Sequence, residues 1–272
     1  MREASIKSYF PFARGTFQSL LSYRLNFFLY VFGELVTVFV TYYLWLAVYN
    51  NSGAQTLNGF SLPDMFTYIF MCQVALNFVN NDASYEVASE VREGSIAMNL
   101  IRPIRYRVVI LFRILGEIVY NVSFVGLPIM LIVCGVSYFS YGIAPRMLSI
   151  VGFFVSAILG FLVNFYFNFI FGLSAFYISN VWGMNMLKGA IVNFLSGALI
   201  PIHFFPGWAQ DILAFMPFNS LIYTPVMIFL GKYQGQEVIT ALLVQVFWVA
   251  VFGLSGMLLW RKAIKKLTIQ GG

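Results

Sequence analysis

The sequence predicts an all-α membrane protein with six transmembrane helices, because long apolar stretches recur along the chain and its basic residues occupy alternate connections. Of its 272 residues, 60% are hydrophobic and 10% are charged, unlike the composition of soluble globular proteins. About 20 apolar residues suffice to cross a hydrocarbon core, and the stretch 147–187 contains no charged residue at all. The predicted spans are residues 26–49, 64–81, 108–137, 148–179, 186–205 and 238–260.

The positions of the basic residues predict the orientation of these spans. Of the sixteen Lys and Arg residues, only Arg146 and Lys232 lie in the connections on one side. Because Lys and Arg accumulate on the cytoplasmic side of membrane proteins, both termini are expected in the cytoplasm. Basic residues beside an anionic leaflet also explain the net charge of +6, so no nucleic-acid partner is implied.

The residues before the first span predict an amphipathic helix within residues 1–25. Apolar side chains recur there at steps of three and four, the helical period: Ile6, Phe10, Ala13, Phe17 and Leu20 or Leu21. A basic helix of this kind lies along the inner membrane surface. The alternative is a solvated lead-in to the first span.

The connection 82–107 between spans two and three predicts two short helices. Asp82 or Ser84 can cap the first, which carries three glutamates on one face at spacings of four and three: Glu86, Glu90 and Glu93. Gly94 is expected to end this helix. Ser95 is positioned to cap a second helix over residues 96–101, which ends before Pro103.

The second short helix is expected to touch a partner. Its apolar residues would otherwise form an unexplained exposed patch: Ile96, Met98, Leu100 and Ile101.

The connection 206–237 is unusual in another way, because its prolines and apolar residues predict a re-entrant or interfacial helical hairpin at the outer end, with Trp208 at headgroup level.

Polar residues inside the spans form rows at four-residue steps, and each row lies on one helix face. The rows are Gln73, Asn77 and Asn81 in span two, Asn164 and Asn168 in span four, and Asn185, Gly189, Asn193 and Gly197 in span five. They either pack helices together or line a substrate path, for which Gln73, Asn77 and Asn193 are the best candidates.

Charged and metal-binding residue types within the spans are few. Glu117 follows Arg113 by four residues, so an ion pair on one helix face is expected. Glu34 lies about two turns into span one and should face protein or water, where it could bind a cationic substrate. The single histidine, His203, cannot form a metal site and is expected to be an interfacial anchor. Cys72 and Cys134 lie in apolar spans, so no disulfide is expected.

Several motifs, taken in order along the chain, resemble the ABC-2 type permeases, the membrane subunits of ATP-binding-cassette exporters. They are Glu90 to Ile96, Leu100 to Ile104, Leu195 to Pro201, Phe205 to Trp208 and Met216 to Asn219. Tyr23-Arg24 and the terminal Gln270 to Gly272 resemble a bacterial subgroup linked to export of toxic small cations.

The resemblance implies a coupling helix over residues 95–101 that docks into a separate ATPase subunit, with Glu90, Glu93, Gly94, Arg102 and Pro103 beside it. The chain has no phosphate-binding loop, so ATP and Mg²⁺ would bind two copies of that partner, and this chain would not be an enzyme by itself. A second permease, identical or homologous, would complete the pathway in a bacterial cell membrane. The alternatives are a secondary transporter without an ATPase and a lipid-modifying membrane enzyme.

Overall fold

The computed structural model describes residues 5–142, 145–178 and 182–266, and most of them are helical. The helices are α1 (Phe10–Ser22), α2 (Arg24–Ser52), α3 (Leu62–Val79), α4 (Ala83–Arg92), α5 (Ile96–Leu100), α6 (Tyr106–Asn121), α7 (Leu127–Tyr141), α8 (Met147–Gly172), α9 (Trp182–Leu195), α10 (Gly207–Phe215), α11 (Tyr223–Phe229) and α12 (Gln236–Ala263). A short hairpin, β1 (Thr56–Leu57) with β2 (Phe60–Ser61), follows α2. A π-helical turn over Val122–Gly126 joins α6 to α7 without a break. The terminal motif 270–272 lies outside the described residues.

Five helical segments of the described chain are long and apolar enough to cross a membrane. They are Leu25–Ser52, Leu62–Arg92, Tyr106–Phe139, Met147–Phe176 and Gln236–Lys266. The prediction of a helical multi-pass membrane protein is therefore confirmed.

The predicted fifth span, 186–205, corresponds in the structure to the shorter helix α9. With 14 residues, α9 is about 21 Å long at 1.5 Å per residue, less than the ~30 Å of a hydrocarbon core. It ends at Leu195 and is followed by turns through Gly197. Length alone therefore identifies five of the six predicted spans.

Helix α9 and the turn after it nevertheless contact both α4 and α3. At the middle of α9, the Lys188 ammonium donates to the hydroxyl of Ser84 in α4 at 2.9 Å. Just beyond its last residue, the carbonyl of Gly197 accepts a hydrogen bond from the Tyr68 hydroxyl in α3 at 2.6 Å. The segment from Lys188 to Gly197 thus lies against the bundle between Ser84 and Tyr68.

The amphipathic N-terminal helix packs on α6. It begins at Phe10 with Pro11 in its first turn, later than the predicted segment suggests. At Gly116 in α6, an added Cβ would lie 2.2 Å from the Ala13 carbonyl oxygen, so only glycine permits this approach of the two backbones. The Tyr9 hydroxyl, at the start of α1, accepts a hydrogen bond from the Arg105 amide at 3.0 Å. Part of the predicted membrane-facing stripe therefore contacts the bundle.

Helix α3 lies at the centre of the bundle, and α8 packs beside it. Met65, Met71 and Val74 of α3 are fully buried. The polar row of the fourth span serves this packing: Asn164 Nδ2 donates to the Val79 carbonyl of α3 at 2.8 Å, and Asn168 Oδ1 accepts a hydrogen bond from the Lys188 ammonium of α9. For that row, the packing interpretation is confirmed.

The end of the bundle that carries β1 and β2 is closed by the connection between α9 and α12. Asp64 forms a capping box with Ser61 at the start of α3, and its carboxylate also pairs with Lys232 at 2.9 Å. The predicted hairpin region contains two separate helices, the partly exposed α10 and the wholly buried α11. His203 hydrogen-bonds to the Tyr223 hydroxyl, which anchors it within this end cap.

Candidate functional site

The segment that joins α3 to α6 has the two-helix form that the sequence predicts. Helix α4 ends after Arg92, and Gly94 follows with a φ of +72°. A left-handed residue of this kind stops a helix, and glycine adopts it without strain. Helix α5 then occupies residues 96–100. We call residues 83–103 the α4–α5 segment.

One face of α5 is anchored to the bundle. Ile96 is fully buried in an apolar cluster with Val87 of α4, Tyr106 of α6 and Phe169 of α8. The expectation that Ile96 is exposed is therefore wrong, because the short turn at Gly94 folds α5 back onto α4 and α6.

Ser95 does not cap α5 as expected. Its backbone is already helical, with φ −64° and ψ −19°, and its side chain makes no capping hydrogen bond. The hydroxyl instead donates to the Glu90 carbonyl at 3.4 Å. A side chain at a helix N-terminus caps best from an extended backbone, and the tight turn after Gly94 does not allow one.

The Glu90 carboxylate links three helices. One of its oxygens accepts a hydrogen bond from Asn99 Nδ2 of α5 at 2.8 Å, and the other accepts from the Arg113 guanidinium of α6 at 2.7 Å. The same guanidinium nitrogen lies 2.6 Å from Glu86. The expected ion pair between Arg113 and Glu117 is therefore wrong, because the guanidinium turns toward the two carboxylates of α4.

The other face of α5 is open. Met98 is 60% exposed and Ile101 is 77% exposed, and Leu100 is partly exposed. Charged and turn residues border these side chains and are also exposed: Glu93, Gly94, Ser95, Arg102 and Pro103. We call this surface the α5 face. An apolar centre with a charged border is typical of a protein-binding patch.

A polar cavity of about 360 Å³ lies between α2, α3 and α6, next to the α4–α5 segment. Its lining includes Tyr30, Asn77, Asn81, Asp82 and Glu117. The Tyr30 hydroxyl donates to Asn77 Oδ1 at 3.3 Å, which connects α2 to α3 across the cavity. We call it the Asn77 cavity.

The four residues predicted to line a substrate path are only partly brought together. Gln73 is buried one turn from Asn77, and its side-chain oxygen has no hydrogen-bond partner within the described chain. Glu34 lies one turn from Tyr30, and one of its buried carboxylate oxygens is likewise unpartnered there. Asn193 is exposed on α9 and does not line the cavity.

Lys188 forms a junction that the sequence reasoning missed. Its ammonium donates to Ser84 of α4, to Asn185 of α9 at 2.9 Å, and to Asn168 of α8. Lys188 follows Asn185 by three residues, so a shared helix face was visible in the sequence. The partners on α4 and α8 depend on the arrangement of helices and had no sequence signal.

The comparison with protein families agrees with this architecture. The family model described as "ABC-2 family transporter protein" matches residues 35–271. That range includes the α4–α5 segment and all five long helices, apart from the first turns of α2. No curated protein matches the chain. Since the match covers most of its length, the chain belongs to the ABC-2 transporter family.

Proposed function

We propose that this chain is the membrane-spanning permease subunit of an ATP-driven exporter and that the α5 face docks on a separate ATPase. The observation that carries the proposal is the division of α5 into two faces. Ile96 and Asn99 fasten it to the bundle, whereas Met98 and Ile101 project outward. A short helix that is anchored on one side and apolar on the other is suited to transmit a force from a partner.

The contacts of Glu90 give that force a route into the membrane. Displacement of α5 would act through Asn99 on Glu90, and through Glu90 on Arg113 of α6. Helix α4 packs in turn against α8. Closure of two ATPase subunits would then shift the population of bundle conformations, as long as ATP binding favours one of them.

The remaining parts of the transporter lie on other chains. The sequence contains no phosphate-binding loop, so ATP and Mg²⁺ would bind the ATPase subunits, two copies of which are expected. A second permease, a copy of this chain or a homologue, would supply the other half of the pathway. Helices α2 and α12 bury little of their surface within this chain and leave room for that partner and for lipid.

The orientation and the sixth crossing also belong to the proposal. The uneven distribution of the basic residues supports a cytoplasmic location for the α4–α5 segment and both termini in a bacterial cell. The contacts of Lys188 with Ser84 in α4 and of Gly197 with Tyr68 in α3 support a crossing by α9 together with residues 196–201.

The Asn77 cavity is the best candidate for the inner part of the substrate path. Asn77 lies in it, and Gln73 and Glu34 lie within a turn of residues that line it. Asn193 could join such a path only at an interface with the second permease. Export of toxic cations stays a prediction from the subgroup resemblance.

Co-purification tests the proposed coupling. The tagged chain is expressed with the genes that neighbour its own, and the proteins retained in detergent are identified and quantified. We expect a stoichiometric ATPase to be retained by the unmodified chain and lost from Met98→Glu, because a carboxylate would enter an apolar contact. Met98→Leu preserves the apolar face and serves as the matched control.

Three other outcomes would decide against the proposal. If no ATPase is retained by the unmodified chain, a secondary transporter becomes the better interpretation. If Met98→Glu and Met98→Leu retain equal amounts of ATPase, the α5 face is not the docking surface. Lipid-modifying activity in the purified chain alone would favour the enzyme alternative.

A further inference from the structure

A large crevice lies at the end of the bundle opposite the α4–α5 segment. Its volume is about 740 Å³, within the roughly 300–1,000 Å³ of typical ligand pockets. The walls come from α3, α7, α8 and α12, represented by Thr67, Cys134, Val155 and Ile239. The crevice is independent of the Asn77 cavity, which shares none of its lining residues.

The surface of the crevice is mainly apolar along α8 and α12. Val151 and Val155 on one side, and Ile239 on the other, are each exposed by more than two fifths of their surface. Since both helices belong to membrane-spanning segments, these side chains lie where lipid chains are available. An unfilled apolar crevice would forfeit dispersion contacts with its walls.

The charge at the rim of the crevice is unbalanced. Its lining contains two charged residues, Asp64 and Arg146. Asp64 is neutralised by Lys232 at 2.9 Å. Arg146 is exposed at the start of α8, and no ion pair is found for it within the described residues. The lining therefore carries one uncompensated positive charge beside an apolar groove.

We propose that this crevice binds an anionic glycerophospholipid of the leaflet on that side. One acyl chain lies between α8 and α12, and the phosphate accepts hydrogen bonds from the Arg146 guanidinium, whose planar fork matches phosphate oxygens. Ser149 and Tyr233 also line the crevice, and their hydroxyls are further hydrogen-bond donors.

A second copy of this chain fits the crevice less well. A two-fold contact places the same surface of both copies in one interface, so it would bring together two Arg146 side chains, while the acid of each lining, Asp64, is already paired with Lys232. A lipid phosphate instead supplies the missing negative charge. The charge therefore favours lipid over protein.

Native mass spectrometry of the purified full-length chain tests this site. The chain is titrated in detergent with palmitoyl-oleoyl phosphatidylglycerol and, separately, with the phosphatidylcholine of the same chains. We expect one phosphatidylglycerol to bind more tightly than phosphatidylcholine. Arg146→Gln should weaken its binding roughly fivefold, the effect of one basic residue at a lipid surface.

Two further variants locate the lipid. Val155→Trp fills the crevice from the exposed surface of α8 and should remove the bound lipid, while gel filtration shows that the chain still elutes as a folded species. Arg261→Gln removes an exposed arginine at the opposite end of the bundle and should leave the binding unchanged.

The proposal is overturned if the two lipids bind equally, or if Arg146→Gln and Arg261→Gln weaken phosphatidylglycerol binding to the same extent. It is also overturned if Val155→Trp retains the lipid. Loss of a dimer in Val155→Trp, with lipid binding unchanged, would assign the crevice to a second copy of the chain.

Discussion

At the scale of single residues, the Glu90 carboxylate determines how α5 is held. It accepts hydrogen bonds from Asn99 on α5 and from Arg113 on α6, and its side chain is only 13% exposed. Hydrogen bonds to charged groups contribute more than those between neutral ones. Glu117, in contrast, faces the Asn77 cavity and receives nothing from Arg113.

Neutralising these two glutamates should have different effects on stability. Glu90→Gln removes the charge that Arg113 and Asn99 share, so we expect the free energy of unfolding to fall by about 1.5–3 kcal/mol. Glu117→Gln should cause no loss, because it removes an intramembrane charge that Arg113 does not pair. Denaturant titration in mixed micelles measures both values.

The control for this comparison is Glu93→Gln, which changes an exposed glutamate on the same α4–α5 segment. It should leave the unfolding free energy within about 0.5 kcal/mol of the unmodified chain. A larger loss in Glu117→Gln than in Glu90→Gln would restore the pairing of Arg113 with Glu117 that the helical spacing suggests.

At the scale of elements, the packing of α1 on α6 depends on Gly116, which has the least room for an added Cβ of all the described glycines. The Ala13 carbonyl lies 2.2 Å from the position of a Cβ on Gly116. Aromatic rings extend the contact, with Phe17 and Tyr120 at 5.9 Å between centroids. The position of α1 therefore depends on the absence of a side chain at one residue of α6.

Gly116→Val should displace α1 from α6, because the valine side chain cannot share the space of the Ala13 carbonyl. We expect trypsin to cleave after the exposed Arg14 several-fold faster than in the unmodified chain, as local opening exposes the backbone of α1. The rate is followed by the loss of intact chain in detergent.

Gly135→Val is the matched control for this experiment. Gly135 lies in α7, and an added Cβ would meet no atom within 4 Å. Equal cleavage rates in the two variants would show that the contact at Gly116 does not hold α1 in place.

The sequence predicts those elements that depend on local signals. Gly94 after α4 and five of the six long apolar runs are signals carried by one continuous stretch of chain, and the structure agrees with them. Other contacts depend on which helices become neighbours. They include the ion pairs of Arg113 with Glu86 and Glu90, and the contact of Ala13 with Gly116. Such tertiary contacts override a local spacing rule, as they do for Arg113 and Glu117.

The same distinction explains the short length of α9. The run 186–205 is apolar enough for a span, but the chain turns at Gly197, which has a φ of +81°. The Tyr68 hydroxyl binds the Gly197 carbonyl, and the Ser196 carbonyl accepts a hydrogen bond from the Tyr223 amide at 3.1 Å. Contacts with α3 and α11 thus replace the helical hydrogen bonds at this point. The average hydropathy of the run cannot predict such contacts.

At the scale of the whole molecule, the two ends of the bundle differ in charge and in construction. The end with the α4–α5 segment carries most of the basic residues. The opposite end has Arg146 and Lys232, and Lys232 is neutralised by Asp64. This difference predicts which end faces the cytoplasm, and the number of crossings determines where each terminus lies.

Cysteine labelling tests this orientation in intact cells. In a chain with Cys72→Ala and Cys134→Ala, single cysteines are placed at the exposed positions Ser52, Ser95 and Arg261. We expect a membrane-impermeant maleimide to label Ser52→Cys in intact cells, and to label Ser95→Cys and Arg261→Cys only after permeabilisation. Four proposed crossings separate Ser95 from Arg261: α6 with α7, α8, α9 with residues 196–201, and α12. An even number of crossings places both positions on the same side of the membrane. If Arg261→Cys is labelled from outside while Ser95→Cys is protected, the α9 segment does not cross and the chain has five spans.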